Sequence, residues 1–209
     1  MSLDVWIPFF VASWLISLSP GSGAISCMAA GLRYGYRRAL WNIVGLQLGI
    51  LAVLAIVAVG VGAVIAASTT LFAAIKWLGA AYLVWLGLQQ WRTQAAPVGG
   101  DGRADAAGGT PRALMLTGFL VNTTNPKGIV FMLAVLPQFI DPARPQPVQY
   151  LVCAATLLFT DVVVMSGYTG FASRVLRLLR EPHHVRWLNR TFGALFIAAG
   201  VTLAAFRRG

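Results

Sequence analysis

The feature that most constrains this chain is a series of long apolar runs, which recur along its whole length. Several of them reach the roughly 20 residues that an α-helix needs to cross about 30 Å of hydrocarbon. Only 11% of the residues are charged, whereas soluble domains have roughly 25%. The pattern predicts an all-α integral membrane protein and argues against a soluble domain with a single anchor.

The runs predict six transmembrane helices, at residues 5–30, 39–67, 70–91, 113–140, 148–172 and 187–206. The longest polar stretch, 92–112, is rich in Gly, Ala and Asp and has no apolar period, so we predict a flexible cytoplasmic linker. It separates two three-helix units, residues 1–91 and 113–209. The start "MSLDVWIPFF" has an acid and no basic cluster, which is typical of a first span and not of a cleaved signal peptide.

The basic residues predict the orientation of the helices. Most of them lie in the first loop, the linker and the fifth loop: Arg33, Arg37, Arg38, Arg92, Arg103, Arg112, Arg174, Arg177, Arg180, Arg186 and Arg190. The opposite side has only Lys76, Arg144, Arg207 and Arg208. Because loops rich in Lys and Arg stay in the cytoplasm, both termini are predicted to lie outside. The net charge of +10 is thereby explained without nucleic acid as a partner.

Three spans per unit give the second unit the opposite orientation, so a likeness between the units is an inverted repeat. "SLSPGSGAI" (17–25) in helix 1 and "NTTNPKGIV" (122–130) in helix 4 both interrupt a span with a polar residue, a proline and a nearby glycine. We therefore predict two inverted three-helix repeats, with helices 1 and 4 broken near the middle of the membrane.

Each break has the sequence of a helix start. Ser19 and Asn125 are good N-caps, and Pro20 and Pro126 suit the first helical position. Two half-helices that begin at mid-membrane would direct free N–H groups and positive dipole ends into the protein. The alternative is an ordinary proline kink whose freed carbonyl is satisfied by a neighbour.

Helix N-termini of this kind suit a substrate carboxylate. Lys127, in the first turn after the second break, adds a full positive charge. We predict a substrate site from the residues of both breaks: Ser19, Pro20, Gly21 and Ser22 at the first, and Asn125, Pro126 and Lys127 at the second.

Asp161 is the only acidic residue near the middle of a predicted span. An ionised group there costs about 2.5–3.5 kcal/mol or more unless it is paired or hydrated. We predict that it holds a substrate ammonium or carries a coupling proton; the alternative is a structural salt bridge to Lys127. Tyr168 shares its helix face, and Gln47 either lines the same cavity or bonds across helices.

Other chemistries find no support in the sequence. It has no Walker A, HExxH or GxSxG motif, and its two histidines lie in a loop. Cys27 and Cys153, in or beside apolar runs, indicate neither a disulfide framework nor a metal site. We therefore expect no cofactor, no metal and no enzymatic activity, and the remaining classes are a gradient-driven transporter or a passive channel for small zwitterions or ions.

The motifs quoted above, together with "GYRRALWNIVGLQLG", "KWLGAAYLVWLGLQQWR", "LPQFIDP" and "DVVVMSGY", resemble the LysE/RhtB family of amino-acid exporters over all six spans. "GLQLG" and "LGLQQWR" resemble its homoserine branch. The resemblance implies a transporter in the bacterial inner membrane that exports small amino acids, such as homoserine, homoserine lactone, threonine or serine, by proton antiport. Small-residue helix faces would also allow a homodimer.

Overall fold

The computed structural model of the chain describes residues 1–67, 69–92, 109–141, 143–172, 174–175 and 182–205. These ranges contain eight α-helices: α1 (Leu3–Leu18), α2 (Ser22–Tyr34), α3 (Tyr36–Ala67), α4 (Thr69–Arg92), α5 (Pro111–Thr123), α6 (Pro126–Ala134), α7 (Gln146–Gly170) and α8 (Pro182–Ala205). A 3-10 turn, Leu136–Phe139, follows α6. The described residues include no strand, which confirms the all-α class. Most of the predicted linker, residues 93–108, lies outside the described residues.

The two predicted interruptions are present. Helices α1 and α2 meet at a bend of 53°, and α5 and the segment from Pro126 to Phe139 meet at 54°. Pro20 lies between the first two helices, and Pro126 is the first residue of α6. The other four predicted spans correspond to α3, α4, α7 and α8.

The described helices give between two and four candidate membrane spans. In the part of the chain that the structure describes, α3 and α7 are each long and apolar enough to cross a membrane. The count reaches four if each bent pair is one span. The predicted arrangement of six spans in two inverted repeats goes beyond this count and stays a prediction.

The helices pack in a regular scheme around the two breaks. Helix α3 lies along α5, α4 lies along α8, and α7 contacts α1, α2 and α3. An apolar core joins α1, α3, α4, α6, α7 and α8, with Phe9, Leu136, Ile140 and Cys153 fully buried. The broken segments thus pack against the continuous helices.

Glycines allow the closest helix contacts. A Cβ on Gly45 of α3 would overlap the Met115 carbonyl oxygen, and one on Gly118 of α5 would overlap the Asn42 carbonyl oxygen. Real Cβ atoms essentially never come within 3.0 Å of such an atom, so α3 and α5 touch backbone to backbone. The Gly45-x-x-x-Gly49 pattern therefore serves close packing, as small residues commonly do between membrane helices.

Candidate functional site

The first break differs from its prediction in register. Ser19 is the C-cap of α1, with φ −69° and ψ 116°, and Gly21, also extended, is the N-cap of α2. The prediction that Ser19 caps the second half-helix and that Pro20 is its first residue is therefore wrong. Ser19 and Gly21 both have extended backbone, and the Ser19 carbonyl is bonded by the Lys127 side chain from another helix, so α2 begins after Gly21 and not at Pro20. The first bond within α2 then runs from the Ile25 N–H to the Gly21 carbonyl oxygen, at 3.0 Å.

The second break has the predicted start. Asn125 is the N-cap of α6, Pro126 occupies the first turn, and the Asn125 side-chain oxygen accepts a hydrogen bond from the Lys127 N–H at 3.1 Å. The first bond within α6 runs from the Ile129 N–H to the Asn125 carbonyl oxygen. Each break thus presents a helix N-terminus, where backbone N–H groups lack partners within the helix.

Two side chains from elsewhere satisfy the carbonyl groups freed at the end of α1. The Lys127 Nζ donates to the Ser19 carbonyl oxygen at 2.6 Å. The Tyr168 hydroxyl donates to the Leu18 carbonyl oxygen at 2.7 Å. A cation is favoured at a helix C-terminus because the dipole is negative there, so Lys127 stabilises the end of α1 while it stands at the start of α6.

Both breaks open on one small cavity of about 70 Å³. A water molecule needs roughly 10–15 Å³ of such space, so the cavity holds a few waters or a small polar group. Its polar and glycine lining comprises Ser17, Ser19, Gly21, Gly23, Asn122, Asn125, Lys127, Gly128 and Asp161. The remaining lining residues, from Ile16 to Met165, are apolar and come from α1, α2, α3, α6 and α7.

Asp161 reaches this cavity from α7, and its partner is Gln47 of α3. The Gln47 Nε2 donates to the Asp161 Oδ2 at 2.6 Å. The structure describes both Asp161 and Lys127, and their charged atoms are more than 4.0 Å apart. The two charges thus share a cavity without forming an ion pair.

Two buried polar atoms near the cavity have no hydrogen-bond partner: the Oγ of Ser19, which lines the cavity, and the Oε1 of Gln47, whose Nε2 bonds Asp161. Ser19 is 2% exposed. Buried polar groups are satisfied in the great majority of cases, and an unsatisfied one requires an explanation such as a water or a ligand. The Ser19 hydroxyl is thus free to bond a molecule in the cavity, and the amide that holds Asp161 has an unpartnered oxygen.

The cavity includes half of the predicted site residues. Ser19, Gly21, Asn125, Lys127 and Asp161 line it, and Gln47 contacts it through Asp161. Besides Gln47, four predicted residues are described but do not line it: Pro20, Ser22, Pro126 and Tyr168. Ser22 and Pro126 are exposed, and Tyr168 bonds the end of α1 instead.

Asn122 is a lining residue that we did not predict. Its Nδ2 donates to the Leu46 carbonyl oxygen at 2.8 Å, which holds the second break against α3. Its carbonyl oxygen accepts a hydrogen bond from the Asn125 N–H at 3.0 Å, so the two residues stand together at the break. A polar residue at the end of α5, next to the predicted break, is the signal that could have identified it from the sequence.

The cavity is lined by one basic residue, Lys127, and one acidic residue, Asp161. Within the described ranges, no cluster of three or more His, Cys, Asp or Glu side chains could hold a metal ion. Interrupted membrane helices around a buried polar cavity are the architecture of secondary transporters. The two bent helix pairs and the polar cavity between them match this architecture.

Comparison with known proteins gives the family. Residues 14–206 match the family described as LysE type translocator. The chain is 42% identical over 207 residues to a homoserine/homoserine lactone efflux protein of Salmonella typhimurium, with 99% of each chain covered. It is 41% identical over 204 residues to an uncharacterized membrane protein of Vibrio cholerae, with 98% of each covered. A leucine efflux protein of Klebsiella pneumoniae is 26% identical over 97% of this chain and 95% of its own. No solved structure matches.

The chain therefore belongs to the LysE family. It is a membrane efflux transporter for amino acids and not an enzyme.

Proposed function

We propose that this protein exports L-homoserine and homoserine lactone, and with them threonine or serine, in exchange for protons, through a site at the two helix breaks. The substrate class is supported by the 42% identity to a homoserine/homoserine lactone efflux protein. The observation that carries the site is that Lys127 and Asp161 line one cavity, each bonded to a neutral partner and not to the other.

The substrate carboxylate fits the end of the cavity beside Lys127. A Cβ on Gly21 would lie 3.7 Å from the Lys127 Nζ, so the ammonium stands at the N-terminus of α2. Free N–H groups and the positive dipole end favour an anion there. The unpartnered Ser19 hydroxyl can add a hydrogen bond, and the bound anion would then compete with the Ser19 carbonyl for Lys127.

The substrate ammonium fits the opposite end, at Asp161. An ammonium has three donors, and the Asp161 carboxylate and the unpartnered Gln47 Oε1 are acceptors. Gln47 holds one carboxylate oxygen at 2.6 Å, which leaves the other for the substrate. A zwitterion would thus span the cavity between two charges that are kept apart.

Proton exchange follows from the same carboxylate. A proton from outside binds Asp161 and removes its negative charge, so the substrate ammonium loses its partner and leaves. The proton departs on the cytoplasmic side when the next ammonium binds. An unpaired charge at mid-membrane has a high free energy. Asp161 is therefore more stable when it either binds a proton or pairs with an ammonium.

The inverted repeat is supported by reciprocal contacts between α4 and α8. A Cβ on Gly87 would lie 2.5 Å from the Gly193 carbonyl oxygen, and one on Gly193 would lie 2.6 Å from the Gly87 carbonyl oxygen. Gly200 likewise approaches the Ala80 carbonyl oxygen. A two-fold rotation that exchanges the two units would place the Gly87 approach on the Gly193 approach, and the reverse. We propose that residues 1–91 and 113–209 form the two repeats, in a bacterial inner membrane, with both termini outside.

Counterflow in liposomes tests the function. Purified protein is loaded with unlabelled homoserine, and uptake of labelled homoserine, homoserine lactone, threonine, serine and leucine is followed with and without a pH gradient. An antiporter accumulates substrate against its gradient when the pH gradient is applied. A flux that only equilibrates the substrate would favour the passive channel, and no counterflow with any of the five compounds would reject the substrate class.

A further inference from the structure

A second, larger cavity lies beside the substrate site. Its volume is about 330 Å³, and it is lined by residues of α1, α4, the segment from α6 to the 3-10 turn, and α8. The lining is predominantly apolar, from Leu15, Leu83, Val135, Phe139 and Ala199. Asp4 and Gln138 are its polar members. We call this space the outer chamber.

The outer chamber and the substrate cavity share a wall. Phe131 lines both spaces, and Phe196 lines the chamber, with its ring centroid 6.0 Å from the Lys127 Nζ. Both phenylalanines are 3% exposed. Two aromatic side chains thus stand between the proposed carboxylate site and the chamber.

The position of the chamber indicates the side to which it leads. Asp4 lies in the first turn of α1, and Gln138 lies in the turn before the loop at residues 140–145. The basic residues predict that the N-terminus and this loop face outward. An amino acid leaving the site through the chamber would therefore exit from the cell.

We propose that Phe131 and Phe196 form the outer gate of the transporter, between the substrate site and the outer chamber. This inference rests on the proposed function. A narrow apolar constriction stops ions and zwitterions because water does not fill it. Aromatic side chains can open it by a change of rotamer, while the helices stay in place.

Lys127 connects the gate to the substrate. A cation within about 6 Å of an aromatic ring is attracted to its face. When no substrate is bound, the Lys127 ammonium therefore stabilises Phe196 in the closed position. A substrate carboxylate that draws Lys127 away would weaken this attraction. The gate would then open more readily when the site is occupied.

Cysteine accessibility tests the gate without any substrate. The native Cys27 and Cys153 are replaced by alanine, and Ile50, which lines the substrate cavity, is replaced by cysteine. Reaction with a membrane-impermeant methanethiosulfonate is then followed from each face of sealed vesicles. Because minor open states are commonly populated at about 0.1–10%, Phe131→Ala is expected to raise the rate from the outer face about tenfold or more. Phe196→Ala is expected to act in the same direction.

Phe9→Ala is the matched control. Phe9 is fully buried in the same apolar core but lines neither cavity, so it removes the same ring without opening a path. Ala12→Cys, in the outer chamber, should react from outside in every background. Phe131→Leu, which keeps a buried apolar side chain, covers the case in which the alanine variant does not fold, and should give a smaller rise.

Three results would overturn the gate: an equal rise with Phe9→Ala, a rise only from the cytoplasmic face, or no reaction of the chamber cysteine from outside. None of them touches the proposed function, because labelling requires no transport. Failure of counterflow in the unmodified protein would reject the function instead, whatever the labelling shows.

Discussion

Lys127 and Asp161 meet the same cavity from α6 and α7, and each has a neutral partner. Lys127 donates to a backbone carbonyl, and Asp161 accepts from an amide. A purely structural pair would bring the two charges together, because their mutual attraction is what offsets desolvation. Their separation favours a role in which a third, charged group completes the arrangement.

Replacing Asp161 by asparagine tests the carboxylate. Asparagine keeps the shape and can still accept the bond from Gln47, so the protein should insert normally. Hydrogen bonds to charged groups contribute about 1.5–3 kcal/mol, so homoserine affinity should fall about tenfold to a hundredfold. Export driven by a pH gradient should stop, as measured in liposomes. Retention of full pH-driven export would exclude Asp161 from proton coupling.

Replacing Lys127 by methionine tests whether Lys127 binds the substrate carboxylate. Binding of homoserine should weaken by about tenfold or more, whereas homoserine lactone, which has no carboxylate, should be affected less. The ratio of the two affinities in one preparation is the measurement, since any general loss of stability affects both. The double variant Lys127→Met/Asp161→Asn should be inactive; a stable and active double variant would show that the pair is scaffold.

The site residues were predictable where the chemistry is local. Proline after a polar residue, in the middle of an apolar run, identified both breaks and the cavity between them. The register of Ser19 was not predictable, because its carbonyl is bonded by a lysine 108 residues away. Tyr168 was assigned to the cavity by helix periodicity, but its hydroxyl reaches Leu18, 150 residues away.

Among the structural elements, the two half-helix starts differ in how they are capped. Asn125 bonds the Lys127 N–H with its side chain, whereas the Gly21 N-cap of α2 has no side chain to do so. Asn125→Ala should therefore lower the free energy of unfolding by about 1 kcal/mol. Ser19→Ala should leave stability unchanged or slightly higher, since its Oγ has no partner, but should weaken substrate binding. Thermal unfolding in detergent and a binding assay measure both, and equal destabilisation by the two changes would contradict these assignments.

The contact between α3 and α5 depends on the absence of side chains. A Cβ at Gly118 would overlap the Asn42 carbonyl oxygen, so Gly118→Ala must push the helices apart. Overpacking of this kind costs about 1–3 kcal/mol, and the melting temperature in detergent should fall by several degrees. Gly167→Ala in α7 is the control, because a Cβ there meets nothing within 4 Å. A similar fall in melting temperature for both variants would show that the close contact between α3 and α5 does not determine the stability.

Helix positions followed from the apolar runs to within a few residues, except at the ends set by specific contacts. α6 gives way to a 3-10 turn at Leu136, next to Pro137, where the apolar pattern predicted a continuous helix to residue 140. α8 begins at Pro182, before its apolar run starts. Hydropathy does not report such ends, because polar residues can extend a helix beyond the membrane.

For the whole molecule, the distribution of arginine predicts the orientation. In a cysteine-free background, Asp101→Cys should react with an impermeant reagent only from the cytoplasmic face, and Ala143→Cys only from outside. Residue 101 lies outside the described part of the chain, whereas Ala143 is exposed in the loop after the 3-10 turn. Reaction of residue 101 from outside intact cells would invert the proposed topology, and with it the direction assigned to the outer chamber.

The bond between the Lys127 ammonium and the Ser19 carbonyl has a consequence for how relatives can diverge. The acceptor is a main-chain atom, which every amino acid supplies, so no substitution at position 19 can delete it. Side chains that fit this buried position can therefore replace serine, which changes the group offered to the substrate, while Lys127 keeps its acceptor. A substitution at position 19 could therefore change the substrate selectivity of the transporter while Lys127 keeps its position and its charge.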